Sequence, residues 1–172
     1  MAMKPAINQS TGTDDQFTQR PVEPEDERFL YELYCSTRAE EIAQWGWGAE
    51  QRELFLQMQF RAQSQHFSRL AGSGVDRLIL RSDCPIGRLL VWRGEHEIRL
   101  VDIALLPAYR NQGIGKTLLL KLQEEAAAAH LPLTLHVLEG SRAVHLYERL
   151  GFALVSQEGP YWLMSWVPKI RE

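Results

Sequence analysis

The stretch ALLPAYRNQGIGKTLLLKL, residues 104–122, passes from the pattern of a strand into that of a helix, and two glycines, Gly113 and Gly115, stand where the helix should begin. Glycine is the costliest ordinary residue in a helix interior, so its double use here needs a reason other than propensity. Lacking a Cβ, each glycine lets the backbone come close to a ligand. The N–H groups of a first helical turn have no intrahelical partner and point outward, with the positive end of the helix dipole behind them. Arg110 and Lys116 flank the turn. Together these features make an anion site of the phosphate-binding kind.

Spacing excludes two standard versions of such a site. Gly115-Lys116-Thr117 ends like a Walker loop, but the glycine that should open the loop is replaced by Arg110. The dinucleotide fingerprint needs a further glycine where the chain has Leu118. Just upstream, Asp102 interrupts the apolar run RLVDIALL and shares a face with Ala104 by the two-residue period of a strand. A carboxylate there is costly unless partnered, and Arg99, Arg88 or a backbone group could hold it.

The elements that must position these residues follow from periodicity and turn signals. Residues 1–16 are polar and expected to be a disordered tail, and 17–172 form one domain. FTQRPV (17–22) reads as a short strand. A helix follows with Pro24 and acidic residues in its first turn, and its apolar positions are Phe29, Leu30, Leu33 and Tyr34. QWGWG (44–48) breaks the pattern before a second helix over 49–67, with Leu54, Phe55, Met58 and Ala62 on one face. After a GSG loop (72–74), strands at 75–81 and 86–93 form a hairpin, and a strand at 96–106 has the apolar content of one buried on both faces. A helix from about 113 to 130, a strand at 131–138, a short helix at 141–150 stopped by Gly151 and a closing hairpin complete the chain. The order β-α-α-β-β-β-α-β-α-β-β implies an α/β fold with a mixed, mostly antiparallel sheet of about seven strands and helices on both faces.

Composition narrows the setting. A net charge of -3 gives no general pull toward nucleic acid or anionic lipid. Cys35 and Cys84 have no metal-type spacing and read as free thiols in a reducing compartment. The N-terminus lacks the apolar core of a signal peptide, and no uncharged apolar run approaches a membrane span. The expectation is a soluble, cytoplasmic protein that needs no metal.

VDIALLPAYRNQGIGKTLLLKL resembles the acetyl-CoA motif of the GNAT N-acetyltransferase superfamily, whose core Gln/Arg-x-x-Gly-x-Gly/Ala is matched by Arg110, Gly113 and Gly115. SRAVHLYERLGF (141–152) is similar to a second segment of that family, Asn-x-Ala…Leu-Tyr-x-x-x-Gly-Phe, with Ser141 in place of the asparagine. The resemblance covers roughly residues 17–168 and includes the order of elements. It implies that the turn holds the pyrophosphate of coenzyme A, lined by Asn111, Gln112, Gly113, Ile114, Gly115 and Lys116, with Thr117 a further donor. Arg110 either supports the loop or touches phosphate. Ser141 takes the place of a cofactor contact. The backbone of Ile103, Ala104 and Leu105 pairs with the pantetheine arm like an added strand, and the strand at 98–105 splays from the one at 133–138 to admit the thioester.

The implied activity is transfer of acetyl from acetyl-CoA directly to a primary amine of a small molecule or peptide. That needs a neutral amine, an oxyanion donor and a proton for the leaving thiolate. Family precedent makes Tyr147 the acid, with a phenol of pKa near ~10 facing a thiol of roughly ~8.5. His136 is the first candidate for the base, since imidazole accepts a proton near neutral pH; Asp102 is the second. Arg38, Trp45 and Trp47 are candidates to wall the acceptor pocket, and Tyr161 and Trp162 could touch it or a partner subunit. The family admits homodimers. The alternative within the same fold is a non-catalytic acyl-CoA-binding or sensor domain.

Overall fold

Short hairpin turns, two of them only two residues long, join neighbouring strands of this chain, so most of its pairing is antiparallel. The computed structural model describes residues 17–70 and 74–169; the expected N-terminal tail, the start of the GSG loop and residues 170–172 lie outside the described residues. β1 (Thr18–Pro21) pairs with β2 (Gly74–Arg81), and β2 turns into β3 (Cys84–Arg93) through Ser82 and Asp83, both at positive φ. β3 pairs with β4 (Ile98–Leu105). The chain then crosses through α3 (Ile114–Ala129) to β5 (Leu133–Leu138), which lies parallel to β4. α4 (Ala143–Arg149) leads to the hairpin of β6 (Ala153–Glu158) and β7 (Tyr161–Trp166), with β7 seated against β5. Among the described residues this gives one seven-stranded sheet of order β1-β2-β3-β4-β5-β7-β6. The expected fold class and element order hold.

The main core lies on the α3–α4 side. Ile114, Leu118, Leu119, Leu122 and Ala126 of α3 recur at helical spacing and meet Leu89, Val91, Leu100, Leu133 and Leu135 of the sheet. Burying each such side chain contributes about 2 kcal/mol of transfer free energy. On the other side lie α1 (Glu27–Ala43) and α2 (Ala49–Leu70), whose buried residues include Leu33, Tyr34, Phe60 and Phe67. A 3-10 turn, Pro24–Asp26, opens α1. There Asp26 accepts two hydrogen bonds from Arg20 at 2.6 and 2.7 Å and one from the Glu23 N–H at 2.8 Å. The Arg20 guanidinium holds this carboxyl below its ordinary range and ties β1 to the start of α1.

The expected face of α2 is corrected. Leu54 is 71% exposed and Met58 56% exposed, and Ala62 is exposed too. The helix buries Phe60 and Phe67 instead, and Phe60 packs on the rings of Tyr31 and Tyr34 at 5.2 and 5.7 Å. Two aromatics seven positions apart lie on one stripe and bury more apolar area than the smaller set that the leucine and methionine spacing suggested. A second correction concerns β4. Its first residues, Ile98 and Leu100, are buried, but Val101–Leu105 is only partly so.

β3 and β4 approach closely at Gly87. A Cβ there would lie 2.4 Å from the Ala104 carbonyl oxygen and 2.7 Å from a Leu105 methyl carbon. Gly87→Ala is therefore expected to lower stability by about 2 kcal/mol through forced separation of the two strands, read as a fall in the thermal unfolding midpoint. An unchanged midpoint would show that β4 yields freely at this point.

Candidate active site

β4 and β5 run together over three register pairs, Ile98–Leu133, Arg99–Thr134 and Leu100–Leu135, and then part. The parting coincides with an irregularity on the other edge of β4. Leu90 of β3 faces Asp102, yet its neighbour Val91 faces Leu100, so Val101 is an extra residue, a β-bulge. Bulges bend a strand and strengthen its local twist, which turns the second half of β4 away from β5. His136, Val137 and Leu138 of β5 have partners in β7 but none in β4.

The exposed edge of β4 has a defined set of groups. The Leu106 N–H donates to the Ile86 carbonyl at 2.8 Å. By antiparallel alternation Ala104, paired with Arg88, also turns its amide groups to β3. The amide groups of Ile103 and Leu105 therefore point to the edge that β5 has left. Of the three residues expected to line this rail, Ala104 presents no backbone group to it. The Leu105 carbonyl already accepts from Arg110 Nε at 2.9 Å, and the same guanidinium reaches the carbonyl and hydroxyl oxygens of Ser36 on α1 at 3.5 and 3.4 Å. Arg110 is thus a strut between β4 and α1.

Beyond β4 the chain makes a 3-10 turn, Pro107–Tyr109, and enters α3 through two left-handed residues, Asn111 at φ 58° and Gly113 at φ 83°. Gln112 fixes this turn by donating to the Ala108 carbonyl at 2.7 Å and accepting from Arg81 at 2.9 Å. Ile114, 1% exposed as a whole residue, anchors it in the core. Gly113 offers no capping side chain. The Thr117 N–H and hydroxyl both bond back to the Gly113 carbonyl, at 2.9 and 3.0 Å. Preceding amides of the turn have no intrahelical acceptor. A Cβ built on Gly113 or Gly115 meets nothing within 4 Å, so open space lies above the helix start, with Lys116 exposed beside it. Ser141, after the end of β5, accepts from the Ala143 N–H at 3.3 Å and so caps α4.

Asp102 and Tyr147 come together at the parting. Tyr147 reaches from α4 and is 7% exposed. Burial pushes its phenol up to about 12, and the nearby Asp102 charge adds to the rise. Burial likewise pushes the Asp102 carboxyl up to about 6, against the pull of Arg88, with the Asp76 charge adding to the rise and the Ile103 N–H opposing it. The arginines that the sequence offered as partners are engaged elsewhere. Arg88 makes a bidentate pair with Asp76 at 2.9 and 2.5 Å, and Arg99 pairs with Glu97.

On the α2 side of the sheet, a cleft of about 560 Å³ opens at the same parting. Val101 of β4 and His136 of β5 line it together with Phe67, Trp92, Glu158 and Tyr161. His136 projects into this cleft and lies 3.9 Å from the Glu158 carboxylate. Arg38, Trp45 and Trp47 do not line it. Arg38 pairs with Glu41 at 3.0 Å, and the two tryptophans pack on each other and on Phe55 with ring centroids 5.0 to 5.4 Å apart. Sequence reasoning missed His66, Trp92 and Glu158 as cleft residues and the Asp76–Arg88 pair. The second had a signal: each charge interrupts an apolar strand at a position facing the same side.

The raised Asp102 value has a consequence for stability. Unfolded, an aspartate titrates near about 3.9; folded, this one titrates at about 6. The penalty for burying the charged form is absent at low pH and grows as pH rises through that window. Asp102→Asn is expected to raise the unfolding midpoint at about pH 8 and to leave it nearly unchanged at about pH 4. A gain equal at both pH values would mean that the carboxylate is not penalised by its site.

Comparison with known proteins agrees with this geometry. No curated protein matches the chain. Among solved structures, a PaiA N-acetyltransferase from Thermoplasma acidophilum in complex with coenzyme A is 19% identical, with a TM-score of 0.67 over 88% of this chain and 98% of its own. The ribosomal-protein-S18-alanine N-acetyltransferase from Escherichia coli is 18% identical, with a TM-score of 0.64 over 91% and 96%. A GNAT family acetyltransferase from Elizabethkingia anophelis with acetyl-CoA bound is 17% identical, with a TM-score of 0.57 over 90% and 99%. At these identities the likeness concerns the fold. No helix among the described residues is long and apolar enough to cross a membrane. The family model for the Acetyltransferase (GNAT) family matches residues 27–152, and the chain belongs to that family.

Proposed function

We propose that the protein is an acetyl-CoA-dependent N-acetyltransferase that moves an acetyl group directly to a primary amine of a small molecule or peptide. The observation that carries this reading is the parting of β4 and β5 after Leu100, with the open glycine turn beyond one end and the α2-side cleft at the other. Coenzyme A and acetyl-CoA are bound in two of the similar structures. The residues present here fit such a molecule. Free first-turn amides and clearance over Gly113 and Gly115 suit a pyrophosphate, and the open edge at Ile103 and Leu105 suits an amide-bearing arm.

When bound, acetyl-CoA supplies an activated acetyl group and a thiolate leaving group. The chain supplies position and proton control. The α3 turn holds the anionic end, and the β4 edge aligns the arm along the opening. An amine entering by the cleft meets the acetyl group between Val101 and His136. Asp102 accepts the proton that the amine releases; its raised affinity for protons makes it a better base than an ordinary aspartate while leaving it ionised at neutral pH. His136, the first candidate from sequence, lines the same cleft 3.9 Å from Glu158 and is the alternative acceptor of that proton.

Tyr147 acts on the sulfur. A phenol raised to about 12 stays protonated at every working pH, so it is always available as a donor. Complete proton transfer to a thiolate of about ~8.5 is then uphill. The hydroxyl works first by hydrogen-bonding the developing negative charge.

The reading is tested by thermal shift with acetyl-CoA, coenzyme A and ATP, followed by thiol release across a panel of amines. Stabilisation by ATP alone would sink it, and acetyl-CoA binding with no turnover on any amine would leave the non-catalytic alternative ahead. Gly115→Glu is the sharper probe of the turn. Gly113 is left-handed and strained by any side chain, whereas Gly115 has ordinary φ and open space. The acid should preserve or raise the unfolding midpoint, since it sits at a helix N-terminus, yet weaken acetyl-CoA binding by at least about 100-fold through bulk and like charge. Tyr147→Phe should lower kcat by roughly 10²-fold with the affinity for acetyl-CoA nearly unchanged; full turnover in this variant would remove Tyr147 from the chemistry.

A further inference from the structure

Arg88 has two carboxylates within reach and chooses one. In register, Asp76 of β2, Leu90 of β3 and Asp102 of β4 form a single cross-strand row. Arg88 stands two residues before Leu90 on the same face, so it is a diagonal neighbour of both aspartates, one on each side. Side-chain reach alone does not favour either. The structure shows the choice made: the guanidinium lies 7% exposed and gives Nε and a terminal nitrogen to the two oxygens of Asp76. Phe67 of α2 covers it, with the ring centroid 4.7 Å from the guanidinium carbon. A planar, bidentate pair under an aromatic ring is held in one orientation, and that orientation gives its Nε and one terminal nitrogen to Asp76 and not to Asp102, which feels Arg88 only as a nearby charge.

We propose that Asp76 is a positioning residue for acetyl transfer: by engaging Arg88 on the β2 side, it keeps the guanidinium off Asp102 and leaves that carboxylate free to take the proton of the amine. The proposal rests on the reading of Asp102 as the proton acceptor. Its chemical logic is competition. A carboxylate bridged by guanidinium has lost both its lone pairs and its appetite for protons, while one facing an unbridged gap keeps them.

The charged and titratable groups around Asp102 are few. Asp76 and Arg88 face it from β2 and β3, and Tyr147 from α4. His66 and His136 belong to the cleft on the same side of the sheet, and Arg99 is tied to Glu97. Arg88 is the cation among these that acts on Asp102 and pairs with Asp76.

The test uses the full chain. Asp76→Asn keeps shape and one acceptor but removes the charge that holds Arg88. The Asp102 carboxyl, followed by carbon NMR as pH is varied, should lose at least about one pKa unit, more than loss of the Asp76 charge alone would take, as Arg88 turns to it, and kcat should fall about tenfold with the KM for acetyl-CoA unchanged. Adding Arg88→Met to Asp76→Asn should return the titration midpoint to the wild-type value or above. A midpoint that stays or rises in Asp76→Asn overturns the proposal, whatever the activity does. A midpoint that falls while kcat holds overturns it too, and places the fault in the reading of Asp102 as the proton acceptor; acetyl-CoA binding and the role of Tyr147 would be untouched by either result. Should Asp76→Asn fold poorly, Asp76→Ser removes the same charge with a smaller side chain, and its midpoint should fall likewise.

Discussion

The candidate site of this molecule is arranged around one interruption, the loss of pairing between β4 and β5 after Leu100. A sheet does not give up backbone hydrogen bonds lightly, since unpaired amide groups inside a protein cost about as much as a lost bond each. Here the loss is forced by one inserted residue, Val101, and made tolerable by what surrounds it. β3 holds β4 tightly on the other edge, with Gly87 allowing the closest approach. Arg110 satisfies the Leu105 carbonyl and braces it to α1. The same opening lets a helix on one face and an acidic side chain on the other sense each other, which is how Asp102 comes to influence Tyr147 through the sheet.

The two faces of the sheet have divided the work. The α3–α4 face is almost wholly apolar and carries the stability. The α1–α2 face is mixed: Phe60 and Phe67 anchor it, but Asp76, Arg88 and Asp102 lie beneath. Buried ion pairs repay their desolvation poorly compared with apolar packing. On the proposed function, their presence on this face marks where stability gives way to chemistry, and the aromatic cover of Phe67 shows how a buried guanidinium is kept in place.

Much of this was legible beforehand because it is local. The glycine turn, the helix starts and the hairpins are written in short-range residue chemistry, and Tyr147 lies in a segment whose spacing resembled a family. The parting of the strands was implied by that resemblance and by nothing in residues 98–105 themselves, because a bulge depends on two strands and a sequence shows one. Arg110 and Ser141 illustrate the same limit. Each is a polar residue beside the turn, and only the folded chain shows that one braces a carbonyl and the other caps a helix. The acceptor side was the least readable. Trp45 and Trp47 drew attention by size, yet they pack with Phe55, while Trp92, His66 and Glu158 meet in the cleft from three distant segments.

The three-pair seam between β4 and β5 also has a meaning for how the chain assembles. β1–β4 and β5–β7 are each built from antiparallel neighbours, whereas the seam between them requires the whole α3 crossover to be in place. Contacts that close long loops form late. The one sheet therefore has two antiparallel parts that meet along a short parallel margin, and the margin is left unfinished where, on the proposed function, an amide-bearing arm would lie. On the proposed function, such an arm adds the missing edge and stitches the two halves together, so occupancy and folding share one equilibrium. Uptake of the cosubstrate would then strengthen the same margin that the fold leaves weakest.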